Sequence, residues 1–208
     1  MAGFEHLRDE MIDTQILARG MSDQRVAKAM RKVPREAFVP EALLDQAYDD
    51  CALPIGDGQT ISQPYTVAVM VEAAGLTPGD RVLEIGTGSG YAAAVLAAIA
   101  ERVFTIETRV ELAEAARRRL AALGIGNVDV RTGDGSAGWP EAAPFEAILV
   151  TARVATIPDA LMQQVSHGGR LVAPVGREGR ERLLKLVRRS DTDYHREDLG
   201  RFSFVPLV

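Results

Sequence analysis

The chain has 208 residues, 47% of them apolar and 25% charged, with a formal net charge of −5, which supports one well-buried core and is short for two independent domains. The acidic balance disfavours broad capture of nucleic acid, which takes a basic face to neutralise phosphates. An acidic N-terminus, a single cysteine at 51, no apolar run of about twenty residues and no His/Cys cluster at metal-ligand spacing point away from a secretory leader, an internal disulfide, a membrane span and a metal centre, and toward the cytoplasm.

Phe4, Leu7 and Met11 recur at helical spacing, Gly20 interrupts, and Ser22 has the chemistry to cap a second helix with Val26, Met30 and Val33 on one side. The segment VPREAFVP, 33–40, stops regular structure with two prolines. Residues 1–50 therefore read as a helical appendage whose apolar stripes pack on the remainder. PIGDGQTISQPY, 54–65, is a glycine-punctuated loop that carries hydroxyls into a helix over 65–74, and Thr77-Pro78-Gly79-Asp80 is a turn. Residues 51–80 thus form a loop-and-helix unit.

From 81 to 208 the pattern alternates. VLEI (82–85), VFTIE (103–107), VDVRTG (128–133), AILVT (147–151) and RLVAPVG (170–176) read as strands, with helices over 91–100, 110–123 and 157–165 between most of them. Parallel strands need crossovers that bury both faces, so the alternation specifies a doubly wound, mostly parallel α/β sheet. Two last strands, 183–189 and 202–208, have no helix between them and should pair antiparallel. The expectation is a single domain over 1–208, Rossmann-like, with an N-terminal helical appendage and antiparallel C-terminal strands.

The first strand runs into Gly86-Thr87-Gly88-Ser89-Gly90. A dinucleotide fingerprint has glycines at relative positions one, three and six; this chain has them at one, three and five, with Tyr91 at position six, and no phosphate-binding lysine follows. The glycines let a ligand approach the backbone closely and present amides at a helix start. Three acids stand at carboxyl ends of successive strands: Glu84 before the turn, Glu107 closing VFTIE, and Asp134 with Gly135 after VDVRTG. Glu84 would attract a ligand's cationic groups, and Glu107 can accept two ribose hydroxyls. Each acid also reads as a cap or a solvated turn residue, Asp134 as an Asx turn. Ser62, before Gln63-Pro64, has the chemistry of a helix N-cap and equally of an anion site; the two are compatible.

VPREAFVP, AYDDCALPIGDGQTISQPY, VLEIGTGSGY, GDGSAGWPEAAPFEAILVTA, GGRLVAPVG and FSFVPLV stand in an order that resembles the protein-L-isoaspartate (D-aspartate) O-methyltransferase family. The resemblance implies S-adenosylmethionine as methyl donor, S-adenosylhomocysteine as product, and isoaspartyl proteins and peptides as partners, with repair proceeding through a succinimide. It implies that Glu84, Gly86, Thr87, Gly88, Ser89, Gly90, Glu107, Asp134, Gly135 and Thr151 hold the cofactor, Asp134 beside the adenine. Thr60 and Ser62 would hold the substrate carboxylate at the reactive end. The chain departs from the family's pattern at Arg153-Val154-Ala155-Thr156, where small residues and proline are usual; Arg153 either pairs with the substrate carboxylate or projects into water. A methyltransferase dedicated to one biosynthetic peptide and a non-catalytic cofactor-binding homologue stay open as rivals, as does the oligomeric state.

Overall fold

The computed structural model describes residues 2–207. Helix α1 (Ala2–Met11) continues through a π-helical turn (Ile12–Ile16) and a 3-10 turn (Leu17–Arg19) to Gly20. The wider π turn rephases the apolar stripe. Met11, Ile12 and Ile16 are buried, whereas Leu7, expected on that stripe, is 39% exposed. Helix α2 (Gln24–Lys32) buries Val26 and Met30, and Val33 is buried just past its end. Its cap is Asp23, which accepts the Arg25 amide at 2.9 Å, and not Ser22. Ser22 instead donates its amide to Glu72 Oε1 at 2.8 Å. The prolines of 33–40 flank a 3-10 turn (Arg35–Phe38), and a second follows (Glu41–Gln46), so short helical turns fill a stretch expected to be irregular.

The hydroxyl-bearing loop is a hairpin. Strands β1 (Leu53–Gly56) and β2 (Gln59–Ile61) pair antiparallel across Asp57 and Gly58, whose φ values are 51° and 69°. Two left-handed central residues define the turn type that matches strand twist. Helix α3 (Pro64–Ala74) then starts with proline in its first turn, where no amide is needed.

The remaining elements are β3 (Arg81–Ile85), α4 (Tyr91–Ala97), β4 (Arg102–Glu107), α5 (Val110–Ala122), β5 (Val128–Thr132), β6 (Phe145–Val150), α6 (Asp159–Gln164), β7 (Val165–Val175), β8 (Arg182–Arg188) and β9 (Tyr194–Arg201). They form a seven-stranded sheet in the order β5-β4-β3-β6-β7-β8-β9, parallel as far as β7 and antiparallel beyond. Val82, Leu149 and Val172 bury one face against α3, α4 and the appendage. Leu83, Ile148 and Leu171 bury the other with Leu161 and Trp139. After β5 the chain crosses to β6 on the far side of β3, and that reversal opens a crevice at the carboxyl ends of β3, β4 and β6.

The last strand lies over 194–201, not 202–208, and Val208 falls outside the described residues. Beyond Gly200 (φ 111°) the chain leaves the sheet, and Pro206 has no amide to extend a ladder. Residues 202–207 return to the crevice instead: the Arg153 amide donates to Val205 O at 2.7 Å and the Leu207 amide to Arg153 O at 2.9 Å. Among the described residues no helix is long and apolar enough to cross a membrane.

Candidate active site

The glycine turn opens with Gly86 at φ 98°. A Cβ there would lie 2.6 Å from Thr151 Oγ1, so glycine is needed both for the backbone angle and for the fit. The Thr151 hydroxyl lies 2.9 Å from Ile85 O and 2.7 Å from Gly86 O, its donor targets, and so ties the end of β6 to the turn. Gly88 (φ 53°) donates its amide to Glu107 Oε2 at 2.8 Å, and the Arg109 amide donates to Oε1 at 3.1 Å. Each carboxylate oxygen keeps a second lone pair. Glu107 therefore shapes the turn and can still accept from a ligand.

Beneath the turn runs a buried polar chain. The Thr87 and Thr105 hydroxyls are 2.7 Å apart, and Thr105 donates to Glu84 Oε2 at 2.6 Å. Glu84 is fully buried and its Oε1 has no hydrogen-bond partner. Burial, with a smaller contribution from the Glu107 charge, pushes its carboxyl up to about 8 against the opposing Thr105 hydrogen bond. Ser89 is also buried, its hydroxyl accepting the Tyr91 amide at 3.3 Å.

A single cleft brings these parts together with the hairpin. Gly86, Thr87, Gly88, Ser89, Glu107 and Thr151 line one side, and Thr60 and Ser62 from the hairpin face them. The Ser62 hydroxyl does not cap α3, whose cap position is taken by Gln63 with no side-chain bond. It has no hydrogen bond within the described residues, and only the Ser62 carbonyl is engaged, by Arg35 Nη2 at 2.9 Å.

Four expected cofactor residues do not line that cleft: Glu84 is buried beneath the turn, Gly135 lines an adjoining pocket, and Gly90 and Asp134 stand apart. Gly90, at φ 92°, starts α4 and packs against α5, where a Cβ would come 3.3 Å from Ala116 Cβ; its constraint is helix-to-helix contact. Asp134 is exposed and turned onto its own chain, accepting the Ser136 amide at 2.8 Å and the Ser136 hydroxyl at 2.9 Å. The backbone hydrogen bond, then the hydroxyl, hold its carboxyl below the usual range. Gly135 beside it, packed on Ile85, lines a smaller adjoining pocket shared with Gly86, Glu107 and Ala152. Arg153 does not project freely into water: its side chain is largely covered and reaches Glu178 at 3.6 Å.

Other lining residues carry no readable motif. Val67, Met70 and Val71 of α3, Tyr91 of α4 and Val205 of the returning segment supply the walls. Outside Thr60 and Ser62 the cleft opens into a wider groove bordered by Gln63, Tyr65, Phe202 and Phe204. The Tyr65 and Phe202 rings stack at 6.5 Å.

The sequence profile described as Protein-L-isoaspartate(D-aspartate) O-methyltransferase (PCMT) matches residues 6–208. The chain belongs to this family. It is 60% identical to the protein-L-isoaspartate O-methyltransferase of Methylorubrum extorquens (strain PA1) over 201 residues, 97% of this chain and 88% of that one. A solved protein-L-isoaspartate O-methyltransferase superposes with a TM-score of 0.86 at 32% identity, covering 96% of this chain and 65% of its own. The fold is shared with a protein from Plasmodium falciparum described as a putative protein-L-isoaspartate O-methyltransferase in complex with S-adenosyl-L-homocysteine, at a TM-score of 0.84 and 22% identity, covering 97% of this chain and 98% of that one. The isoaspartate methyltransferase family thus spans nearly the whole chain, appendage and C-terminal segment included.

Proposed function

We propose that the protein transfers a methyl group from S-adenosylmethionine to the free α-carboxylate of L-isoaspartyl residues, and to the side-chain carboxylate of D-aspartyl residues, in damaged polypeptides, acting in the cytoplasm as a single methyltransferase unit. The observation that carries this is the placement of two free hydroxyl-bearing residues, Thr60 and Ser62, across one cleft from the glycine turn and Glu107. The site fits the cofactor on three counts: Gly86 leaves room for close approach, Glu107 retains acceptor capacity for ribose hydroxyls, and the unpartnered Oε1 of Glu84 suits a nearby cation.

The bound cofactor supplies an electrophilic methyl on a sulfonium, with a neutral thioether as leaving group. The residues of this chain do the rest by placement. A carboxylate of ordinary pKa, near 4, is already an ionised nucleophile at neutral pH, so no side chain has to remove a proton. Ser62 and Thr60 can donate to that carboxylate and aim one oxygen along the cleft. Val67, Met70, Val71 and Val205 exclude water from it. The isoaspartyl carboxylate sits directly on the α-carbon and a normal aspartyl carboxylate one methylene further out, a difference that a hairpin held at fixed height can read. The ester formed is lost to attack by the following backbone nitrogen, which forms the C–N bond of a succinimide and expels methanol; hydrolysis of the succinimide returns some normal aspartate. The wider groove at Tyr65 and Phe202 has room for the polypeptide on either side of the reacting residue.

Labelled methyl transfer to an isoaspartyl peptide beside its normal aspartyl twin tests the reading. Label should enter the first alone. Entry into neither peptide, with S-adenosylmethionine still bound, would favour a non-catalytic role, and activity confined to one partner peptide would favour a dedicated biosynthetic enzyme.

A further inference from the structure

Arg35, in the VPREAFVP segment, has no part in the chemistry described so far, yet it is the largest fully buried side chain, at 0% exposure. Its partners among the described residues are all neutral. Nε donates to Ala47 O at 2.8 Å, Nη2 donates to Ser62 O at 2.9 Å, and the guanidinium carbon lies 5.0 Å from the centre of the Tyr91 ring. Nη1 and the Tyr91 hydroxyl are both buried without a hydrogen-bond partner. A buried charge without a counter-ion is costly, and an apolar side chain of similar volume would pack there at lower cost.

What Arg35 does have is position. Ala47 belongs to the appendage, Ser62 to the end of the hairpin, and Tyr91 to the first turn of α4, immediately after the glycine turn; the last two line the cleft. We propose that Arg35 is a positioning residue of the carboxylate site, fixing the Ser62 main chain against the start of α4 and setting a positive charge behind the place where the substrate carboxylate is held. The inference rests on the methyl-transfer reading above. Loss of the Nη2 bond frees the Ser62 carbonyl, so the hydroxyl no longer holds its angle to the carboxylate. Loss of the charge removes an attraction that the apolar walls of the cleft leave poorly screened. Thr151 and Glu107, which hold the cofactor side of the cleft, make no hydrogen bond to the guanidinium, whose bonds go to Ala47 and Ser62.

The test compares Arg35→Met and Arg35→Lys with the wild type in thermal midpoint, S-adenosylhomocysteine affinity, and kcat and KM for an isoaspartyl peptide. In Arg35→Met, kcat/KM should fall about 100-fold, the scale of a small misplacement at a reacting centre. Lysine keeps the charge and one donor, and should recover on the order of tenfold of that loss. S-adenosylhomocysteine affinity should stay within about threefold in both, as for a change away from the contacts that bind it. If the methionine variant does not fold, the lysine variant decides: peptide turnover lowered with cofactor-product affinity kept supports the proposal, and wild-type turnover overturns it. A lower midpoint with unchanged turnover per folded molecule would make Arg35 a packing strut, and parallel loss of both affinities would make it a support of the whole fold; either result overturns the proposal. A wild type inert on the peptide refutes the methyl-transfer reading itself, whereas an active wild type with insensitive variants refutes only the role of Arg35.

Discussion

The Ser62 hydroxyl is claimed by no backbone amide, so its removal should be felt in turnover before stability. Ser62→Ala should stay within about 0.5 kcal/mol of wild type in unfolding, the range of substitutions that break no special feature. Losing a hydrogen bond to a charged carboxylate, about 1.5–3 kcal/mol, should slow single-turnover methylation by roughly 10- to 150-fold. Denaturation and rapid-quench measurements on the same preparation separate the two; a stability loss without a rate loss would return Ser62 to a structural role. Glu107→Gln should weaken S-adenosylmethionine binding in calorimetry, because the amide replaces one of the two carboxylate acceptors, of which Gly88 uses one and the proposed ribose contact needs the spare capacity. Unchanged affinity would remove Glu107 from the ligand site. Glu84 links binding to protons. Its carboxyl is raised from 4.5 to about 8 in the folded chain, so the native state holds the extra proton between those values. Stability is then greatest below the unfolded value and declines as pH rises through about 8, with the ionised form buried beyond it. Glu84→Gln should flatten the fall in denaturation midpoint between pH 6 and 9. A cationic ligand beside Oε1 favours the ionised form, so binding at pH 7 should release protons, visible as a buffer-dependent binding enthalpy.

The hairpin shows how an element sets the height of the site. Thr60 sits on β2, two residues past a turn whose Gly58 has a φ of 69° and open space around its missing Cβ. Gly58→Val would therefore act through backbone strain alone, about 1–2 kcal/mol for a side chain held in the left-handed region. The peptide KM should rise with S-adenosylhomocysteine affinity unchanged, and an unaltered KM would detach loop height from substrate binding. Asp57-Gly58 is a strong hairpin signal, yet strands of four and three residues are too short to show alternation, and a loop was the natural expectation. Strands β3 to β7 were legible because parallel strands buried on both faces appear as apolar runs broken by amphipathic helices. The final segment misled for a related reason. FSFVPLV has the composition of a strand, but Phe202, Phe204, Val205 and Leu207 lie half-buried along the crevice and its neighbouring groove instead of in the sheet. The glycine turn, Glu107, Thr151, Thr60 and Ser62 were legible as a site because each has a chemistry that its position must explain. Met70, Tyr91 and Val205 were not, since a cleft wall uses the same residues as a core.

Across the whole molecule, the site is assembled from distant stretches of chain: the hairpin at 53–61, the turn after β3, the ends of β4 and β6, and the returning segment at 202–207. Among the described residues that line the cleft there is no histidine; His6, His167 and His195 lie on α1, β7 and β9. Glu107, the carboxylate in the lining, accepts a hydrogen bond from a backbone amide on each oxygen and is committed to shaping the turn. A design of this kind works only if the nucleophile arrives ionised, and that sets the pH response of the reaction. With cofactor saturating, single-turnover methylation of an isoaspartyl peptide should change little between about pH 6 and 8, because the substrate carboxylate, of ordinary pKa near 4, remains ionised throughout. Steady-state turnover is the wrong measurement, since product release can mask the chemical step. A rate rising tenfold per pH unit to a plateau near 7 would show that a group of this protein must lose a proton first, and the search for it would begin at Glu84, the buried carboxyl connected to the cleft through Thr105 and Thr87.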